Sequence, residues 1–208
     1  MKLEAKSLLA ALNEQKVEYK LFEHEAFFTV EESSKLKSDL NMQGAHTKNL
    51  FLRDKKRNFY LLSCLDSTEV DLKIIKNTIQ CQGNLSFGSA EYLYDKLGVK
   101  PGSVSPYSLI NNVDKDVSFY LDKKINDYEL CNFHPLDNTK TIQVKTEDCI
   151  KFLNTITTVR LIDFTTMEVI NLWNFETVKE FLYHLILIIR SLIVDRLFSF
   201  QLFLLHLH

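Results

Sequence analysis

Hydrophobic positions recur along this chain with two periods, one helical and one extended, and together they divide it into short alternating elements. Leu3, Leu8, Leu9 and Leu12 fall on one face of a helical wheel, with Lys2, Glu4, Lys6 and Glu14 around it. That spacing predicts an amphipathic helix over residues 3–13. A short strand is expected at 19–22. Thr29, with Glu32 three positions later, is placed to cap a helix over 30–37. The clearest signal is a hairpin: apolar runs at 49–53 and 58–64 flank the polar turn Asp54, Lys55, Lys56 and Arg57. Ser67 or Thr68 is expected to cap a helix carrying Val70, Leu72, Ile74 and Ile75. Ser89 is expected to cap another through Leu93 and Leu97, with Gly98 ending it. A loop bearing glycine and proline follows over 97–112. Strands are predicted at 117–121, 129–133 and 139–144. Thr146 is expected to cap a last short helix with Ile150, Phe152 and Leu153, and the final strand is expected at 159–164.

Helices and strands alternate throughout, which places the chain in the α/β (α+β) class with a mixed sheet and peripheral helices. After Phe164 the pattern changes. Residues 165–208 hold no glycine or proline and are rich in Leu, Ile and Phe. The expected organisation is therefore one domain over 1–164 and an apolar, helical C-terminal extension over 165–208. Arg190, Asp195 and Arg196 interrupt the extension's apolar runs, so no stretch matches the roughly 20 residues a spanning helix needs. Three readings of the extension stand: a helix packing on the domain or on a second copy, a membrane-surface anchor, or an altered reading frame.

Composition narrows the function classes. The chain has 208 residues, 25 basic and 27 acidic, for a formal charge of −2. Near-neutrality excludes a general polyanion binder, so any contact with RNA must come from a local patch. The four cysteines, Cys64, Cys81, Cys131 and Cys149, show no CxxC spacing, and Cys131 with His134 forms a lone CxxH. No metal site is expected from so few ligands. A charged N-terminal segment without an apolar core and unpaired cysteines point to reduced thiols and a cytoplasmic setting.

Four segments carry a more specific signal. EHEAFFTVEES (23–33) resembles the HExxFTVEE opening of the YbaK/prolyl-tRNA editing family. GAHTKNLFLRDKKRNFYLL (44–62) is similar to that family's signature hairpin. LGVKPGSVSPYSLINN (97–112) resembles its GxxxP loop, and FHPLDNTKT (133–141) its FHPxxNT segment. The four occur in family order, and the likeness is greatest to stand-alone bacterial alanyl-tRNA(Pro) deacylases. It covers residues 24–142 and leaves the extension outside. Asp137 stands where the family commonly has an apolar residue, Lys140 where it has a small one, and INNVDKD replaces a more usual Asn-Asp turn.

The resemblance implies a trans-acting editing domain that hydrolyses alanine esterified to tRNA(Pro). Editing is needed because a missing methylene changes binding by only ~1–3 kcal/mol, so a synthetase pocket admits the smaller amino acid. The sequence has no GxSxG, HExxH or catalytic-cysteine signature. An aminoacyl ester is already activated, and the neighbouring ribose hydroxyl can help position or deprotonate water. The protein then has to orient the ester and stabilise the developing oxyanion, without a cofactor.

The resemblance places the family's essential lysine at Lys48, an ammonium suited to the terminal phosphate of the acceptor end. Without it, Lys48 reads as a solvent-facing strand-end lysine. Asn49 either bonds the ribose or pins the hairpin. Gly102, Ser103 and Pro106 mark a turn that can aim N–H groups at a carbonyl oxygen, or an ordinary connecting loop. His134, followed by Pro135, either bonds the substrate or holds the GxxxP loop, with Asn138 and Thr139 fixing the same turn. Phe28, Thr29 and Val30 either wall the amino-acid pocket or belong to the core. His46 is expected to be structural. Arg53, Lys55, Lys56 and Arg57 form a basic tip, diluted by Asp54, that is solvated or touches the acceptor stem. The expected partners are the tRNA acceptor end and, through it, prolyl-tRNA synthetase. Cys-tRNA(Pro) as substrate and a non-catalytic tRNA- or synthetase-binding module are the alternatives.

Overall fold

Leu8 and Leu12 lie one helical turn apart and both are fully buried. The helix that carries them, α1 (Ala5–Glu14), forms where the apolar spacing predicts it. The computed structural model describes residues 2–26 and 38–171. After α1 the chain runs through β1 (Tyr19–Glu23), β2 (Ala45–Arg53), β3 (Phe59–Leu65), α2 (Leu72–Thr78), β4 (Ser86–Phe87) and α3 (Ala90–Leu97). A 3-10 helix at Pro106–Asn111 leads to β5 (Val117–Asp122), and a second at Lys123–Asp127 leads to β6 (Leu130–Phe133). β7 (Lys140–Lys145), α4 (Thr146–Ile156), β8 (Val159–Asp163) and β9 (Glu168–Asn171) complete the order. The expected helix over 30–37 lies outside the described residues, as do Phe28, Thr29 and Val30.

The strands join in one mixed sheet in the order β1-β7-β6-β2-β3-β5-β8-β9, with β4 beside β2. β2 runs parallel to β6, β3 to β5, and β5 to β8; the remaining pairs are antiparallel. Side-chain alternation sorts the strands onto two cores. Phe51, Phe59, Leu61, Phe119, Phe133 and Ile142 pack with residues of α1, α3 and α4. Leu52, Tyr60, Leu62, Tyr120 and Ile162 pack with Ile75 and Ile79 from α2 and its C-cap. The mixed α/β sheet expected from the sequence is present.

Several boundaries differ from expectation, each for a local reason. Neither Ser67 nor Thr68 caps α2. Asp71 does so, accepting from the Lys73 amide at 2.7 Å, while the Thr68 hydroxyl donates to the buried Asp122 carboxylate at 2.8 Å. Thr146 is inside α4 and not its cap; its hydroxyl donates to the Tyr128 carbonyl at 2.7 Å. Ser89 does cap α3, and Gly98 ends it in the left-handed region at φ 67. Pro106 begins a 3-10 helix within what reads as a loop. Asn111, in the segment that departs from the family pattern, accepts from the Leu3 amide at 2.7 Å. Its side-chain amide donates to the Leu3 and Leu97 carbonyls, tying the N-terminus to the end of α3.

The sheet also continues past residue 164. β9 pairs antiparallel with β8 from Asp163↔Glu168 to Arg160↔Asn171, and one compact unit runs from Met1 to Asn171. Residues 172–208, with the rest of the expected helical extension, lie outside the described residues.

Candidate active site

Gly44 starts the site. It has φ 88, and a Cβ there would stand 2.3 Å from the Leu130 carbonyl oxygen. Only glycine lets β2 approach β6 so closely. From that contact β2 pairs with β6 at Ala45↔Cys131 and His46↔Asn132. β6 ends at Phe133, and β2 regains a neighbour on that side only near Phe51, whose carbonyl accepts from Gly88, and at Leu52↔Phe87 on β4. Among the described residues the sheet therefore has a gap beside β2, and Lys48 stands in it.

The other side of β2 is fully paired, with Lys48 opposite Cys64 on β3. The Lys48 ammonium donates to the Asp66 carbonyl at 3.0 Å, just beyond the end of β3. Cys64 lies buried beneath it. Burial pushes the thiol up to about 12, with the lysine charge opposing, so Cys64 is not an available nucleophile. Cys131 is also held protonated, by its hydrogen bond with Cys149 and by burial, and Cys81 is raised by burial.

Asn49 points to the opposite face. Its side-chain oxygen accepts from the Ser63 hydroxyl at 2.6 Å, and Ser63 is fully buried. Asn49 is thus a pin across the hairpin. His46, expected to be structural, bonds the Met42 carbonyl through Nε2 at 3.0 Å.

Two positions beyond Asn132, as Lys48 is two beyond His46, comes His134. Its Nδ1 lies 2.6 Å from the Lys140 carbonyl. A carbonyl only accepts, so Nδ1 carries a hydrogen and the ring is oriented by the Lys140 carbonyl. A second histidine flanks it. The His24 ring lies 6.1 Å from the His134 ring; its Nε2 contacts the Thr141 hydroxyl at 3.0 Å and its amide donates to the Thr139 carbonyl. His24 was not among the sequence-derived site residues. Its place in the opening block of the family pattern was the available signal.

The turn behind His134 is held by Asp137. Its carboxylate accepts from the Thr139 amide at 3.0 Å, the Thr139 hydroxyl at 2.8 Å and the Lys140 ammonium at 2.9 Å. Partial burial works to raise its pKa, but these bonds outweigh it and hold the group at about 2. Pro135 is buried beside this turn, and Leu136 takes φ 65.

The loop bearing Gly102, Ser103 and Pro106 packs under the same strand end from the other face. Tyr107 sits edge-on to Phe133 at 5.9 Å and to Phe152 at 5.9 Å. Gly102 has φ 91 and Ser103 closes a turn onto the Lys100 carbonyl at 3.0 Å. The Ser103 amide is therefore engaged, while those of Val104 and Ser105 carry no bond among the described residues. Ser105 is fully buried and its hydroxyl has no hydrogen-bond partner among the described residues. β6 thus ends with His134 on one side and the loop on the other. Among the described residues no group of three or more His, Cys, Asp or Glu side chains is arranged to hold a metal ion.

Comparison with known proteins shows the family of the chain. A sequence model of the aminoacyl-tRNA editing domain matches residues 24–152. The prolyl-tRNA editing protein ProX of Acetoanaerobium sticklandii is 34% identical over 155 residues, 74% of this chain and 93% of that protein. The prolyl-tRNA synthetase associated domain-containing protein 1 of Xenopus laevis is 35% identical over 150 residues, 70% of this chain and 88% of that one. The fold is shared with a crystal structure described as a candidate trans-editing enzyme for prolyl tRNA synthetase, at TM-score 0.59 and 17% identity, over 78% of this chain and 97% of that one. The chain belongs to the aminoacyl-tRNA editing domain family.

Proposed function

We propose that this protein is an aminoacyl-tRNA deacylase that clears mischarged tRNA(Pro), with Ala-tRNA(Pro) as its substrate. The observation that carries the reading is Lys48 in the gap between β6 and β4, with His134 at the end of the neighbouring strand. An extended acceptor end fits a gap in a sheet, and an ammonium carried by the strand that borders the gap suits a phosphate.

Water adds to the ester carbonyl, the bond to the ribose oxygen breaks, and the proton returns to that oxygen. Free alanine and tRNA leave. Lys48 holds the terminal phosphate, and the amides of Val104 and Ser105, unbonded among the described residues, are the donors offered to the developing oxyanion. His134, its ring oriented by the Lys140 carbonyl, bonds the terminal ribose. The substrate's own vicinal hydroxyl positions the attacking water. No thiol takes part, because burial keeps Cys64 neutral. The names of the relatives suggest prolyl-tRNA synthetase as the partner that supplies the mischarged ester.

A deacylation panel tests this reading. Alanyl, cysteinyl and prolyl esters of one tRNA(Pro) are presented to the intact protein, and release of each amino acid is timed. Fast loss of alanine with prolyl-tRNA spared is expected. Preferential loss of cysteine would reassign the substrate, and background rates for all three would leave a binding module in place of an enzyme.

A further inference from the structure

The β2–β3 hairpin tip carries Arg53, Lys55, Lys56 and Arg57, with Asp54 among them. In the sequence Asp54 dilutes the positive charge. In the fold it does not face outward, being only 1% exposed. Its carboxylate accepts from the amides of Lys56, Asn58 and Gln82, each at 2.9 Å, from the Asn58 side chain at 2.8 Å and from the Tyr60 hydroxyl at 3.1 Å. The acid is consumed in building the turn, and the outer surface is left to the cations. Lys55, Lys56 and Arg57 are exposed. None of the four basic side chains has a carboxylate partner among the described residues.

The neighbouring segment extends the same character. The Lys55 amide donates to the Gln82 carbonyl, and β4 brings Phe87 beside Leu52. Phe87 is 63% exposed. Between Lys76 and Gly88 the chain contains no acidic residue. An otherwise acidic chain thus presents a hairpin tip of exposed cations close to an exposed ring, a combination that suits a nucleic-acid backbone and the base at its end.

Position fits the same partner. Five residues of β2 separate Lys48 from Arg53, about 17 Å at ~3.3 Å per residue. A tRNA ends in about four unpaired nucleotides, which span roughly 14 Å when stacked at ~3.4 Å each, and more when extended. With the ester at Lys48, the first base pairs of the stem reach the hairpin tip.

We propose that the β2–β3 hairpin tip, flanked by Phe87, is the surface that holds the acceptor-stem duplex of the RNA substrate. This rests on the ester-hydrolysis reading of the Lys48 site. The tip contributes to binding and not to the chemical step, and its contacts are with phosphates, so it acts on any stem sequence.

The test compares two substrates: full-length alanyl-tRNA and a short alanyl oligonucleotide ending in CCA that lacks a stem. The variant is K55Q/K56Q/R57N, with asparagine at 57 because that position has φ 64. The expected result is an approximately tenfold rise in KM for full-length tRNA with kcat unchanged, and no change for the short substrate. Phe87→Ala is expected to raise the same KM by a smaller factor. Equal losses on both substrates, or none on either, would overturn the proposal.

A measurement on the unmodified protein guards against a misfolded variant. The slope of log KM against log salt should be steeper for full-length tRNA than for the short substrate by about 2–3, and equal slopes would sink the idea. If the unmodified protein hydrolyses neither ester, the enzymatic reading fails. Binding of uncharged tRNA to the intact and variant proteins then decides the surface by itself: weaker binding by the variant supports it and equal binding refutes it.

Discussion

The Lys140 ammonium lies 2.9 Å from the Asp137 carboxylate. These are the two positions in the FHPxxNT segment where the chain departs from the family pattern, and in the fold they are partners. The departure is compensated within one turn, and that turn supplies the carbonyl that orients His134. Partly exposed ion pairs contribute little by themselves, about 0–1 kcal/mol. The turn bonds from Thr139 to Asp137 matter more. Asp137→Ala is expected to lower kcat/KM about tenfold by loosening His134, whereas Lys140→Ala leaves it within twofold. Steady-state deacylation kinetics on both variants decide this. Equal losses would mean that the ion pair, and not the turn, holds the histidine.

Lys48 is half-buried, and its ammonium donates to a backbone carbonyl just beyond the end of β3. Lys48→Ala should therefore separate function from stability. We expect a fall in single-turnover deacylation of at least about 100-fold, with the unfolding free energy changed by less than ~0.5 kcal/mol. Activity within threefold of the unmodified protein would remove Lys48 from the mechanism.

Asn49 behaves oppositely. Asn49→Ala strands the fully buried Ser63 hydroxyl without its acceptor, a cost of about 1–3 kcal/mol. The melting temperature should fall by roughly 3–6 °C. Asn49→Ala/Ser63→Ala should recover most of that loss, because removing both partners leaves nothing unsatisfied. A double variant no more stable than the single one would show that Asn49 has another role.

Asp54 makes stability depend on acidity. Burial works to raise its pKa, but bonds from Asn58, Gln82 and Tyr60 outweigh it and lower the group to about 2. A carboxyl depressed in the folded state adds stability that is fully present above its unfolded value near ~4 and lost as pH falls toward 2. The contribution is on the order of 2 kcal/mol. Denaturant midpoints measured between pH 2 and pH 6 should show this loss, and Asp54→Asn should flatten it while lowering stability at neutral pH. Parallel curves for the two proteins would refute the assignment.

Much of this was legible in the sequence, and the misses share a cause. Leu8 and Leu12, Ser89 and Gly98, and the paired runs of the hairpin declared their elements through period and local chemistry. Lys48 and His134 were recognisable only through family likeness, since nothing local tells a strand-end lysine from a site lysine. The α2 cap went to Asp71 because Thr68 was taken by Asp122, a residue far away in sequence. Asp54 looked like a solvated turn residue because the Gln82 amide, 28 positions away, joins the local donors from Lys56, Asn58 and Tyr60 only when the hairpin closes on that segment. β9 was missed because an edge strand such as Glu168–Asn171 needs only a weak apolar pattern, and the change in composition after Phe164 masked it. Local chemistry sets element ends; capture by a distant partner cannot be read before folding.

The position of β7 sets an order of assembly. This strand inserts between β1 and β6, pairing Tyr19–Glu23 on one side and Leu130–Phe133 on the other. It also supplies the Lys140 carbonyl and the Thr141 hydroxyl that fix His134 and His24. A polypeptide emerging from the ribosome can close the β2–β3 hairpin early, because that pairing is local. The candidate site must wait until β7 has been translated and wedged into place, and non-local closures of this kind are slow. A partly synthesised chain thus lacks the carbonyl and the hydroxyl that fix the two histidines until β7 has joined the sheet.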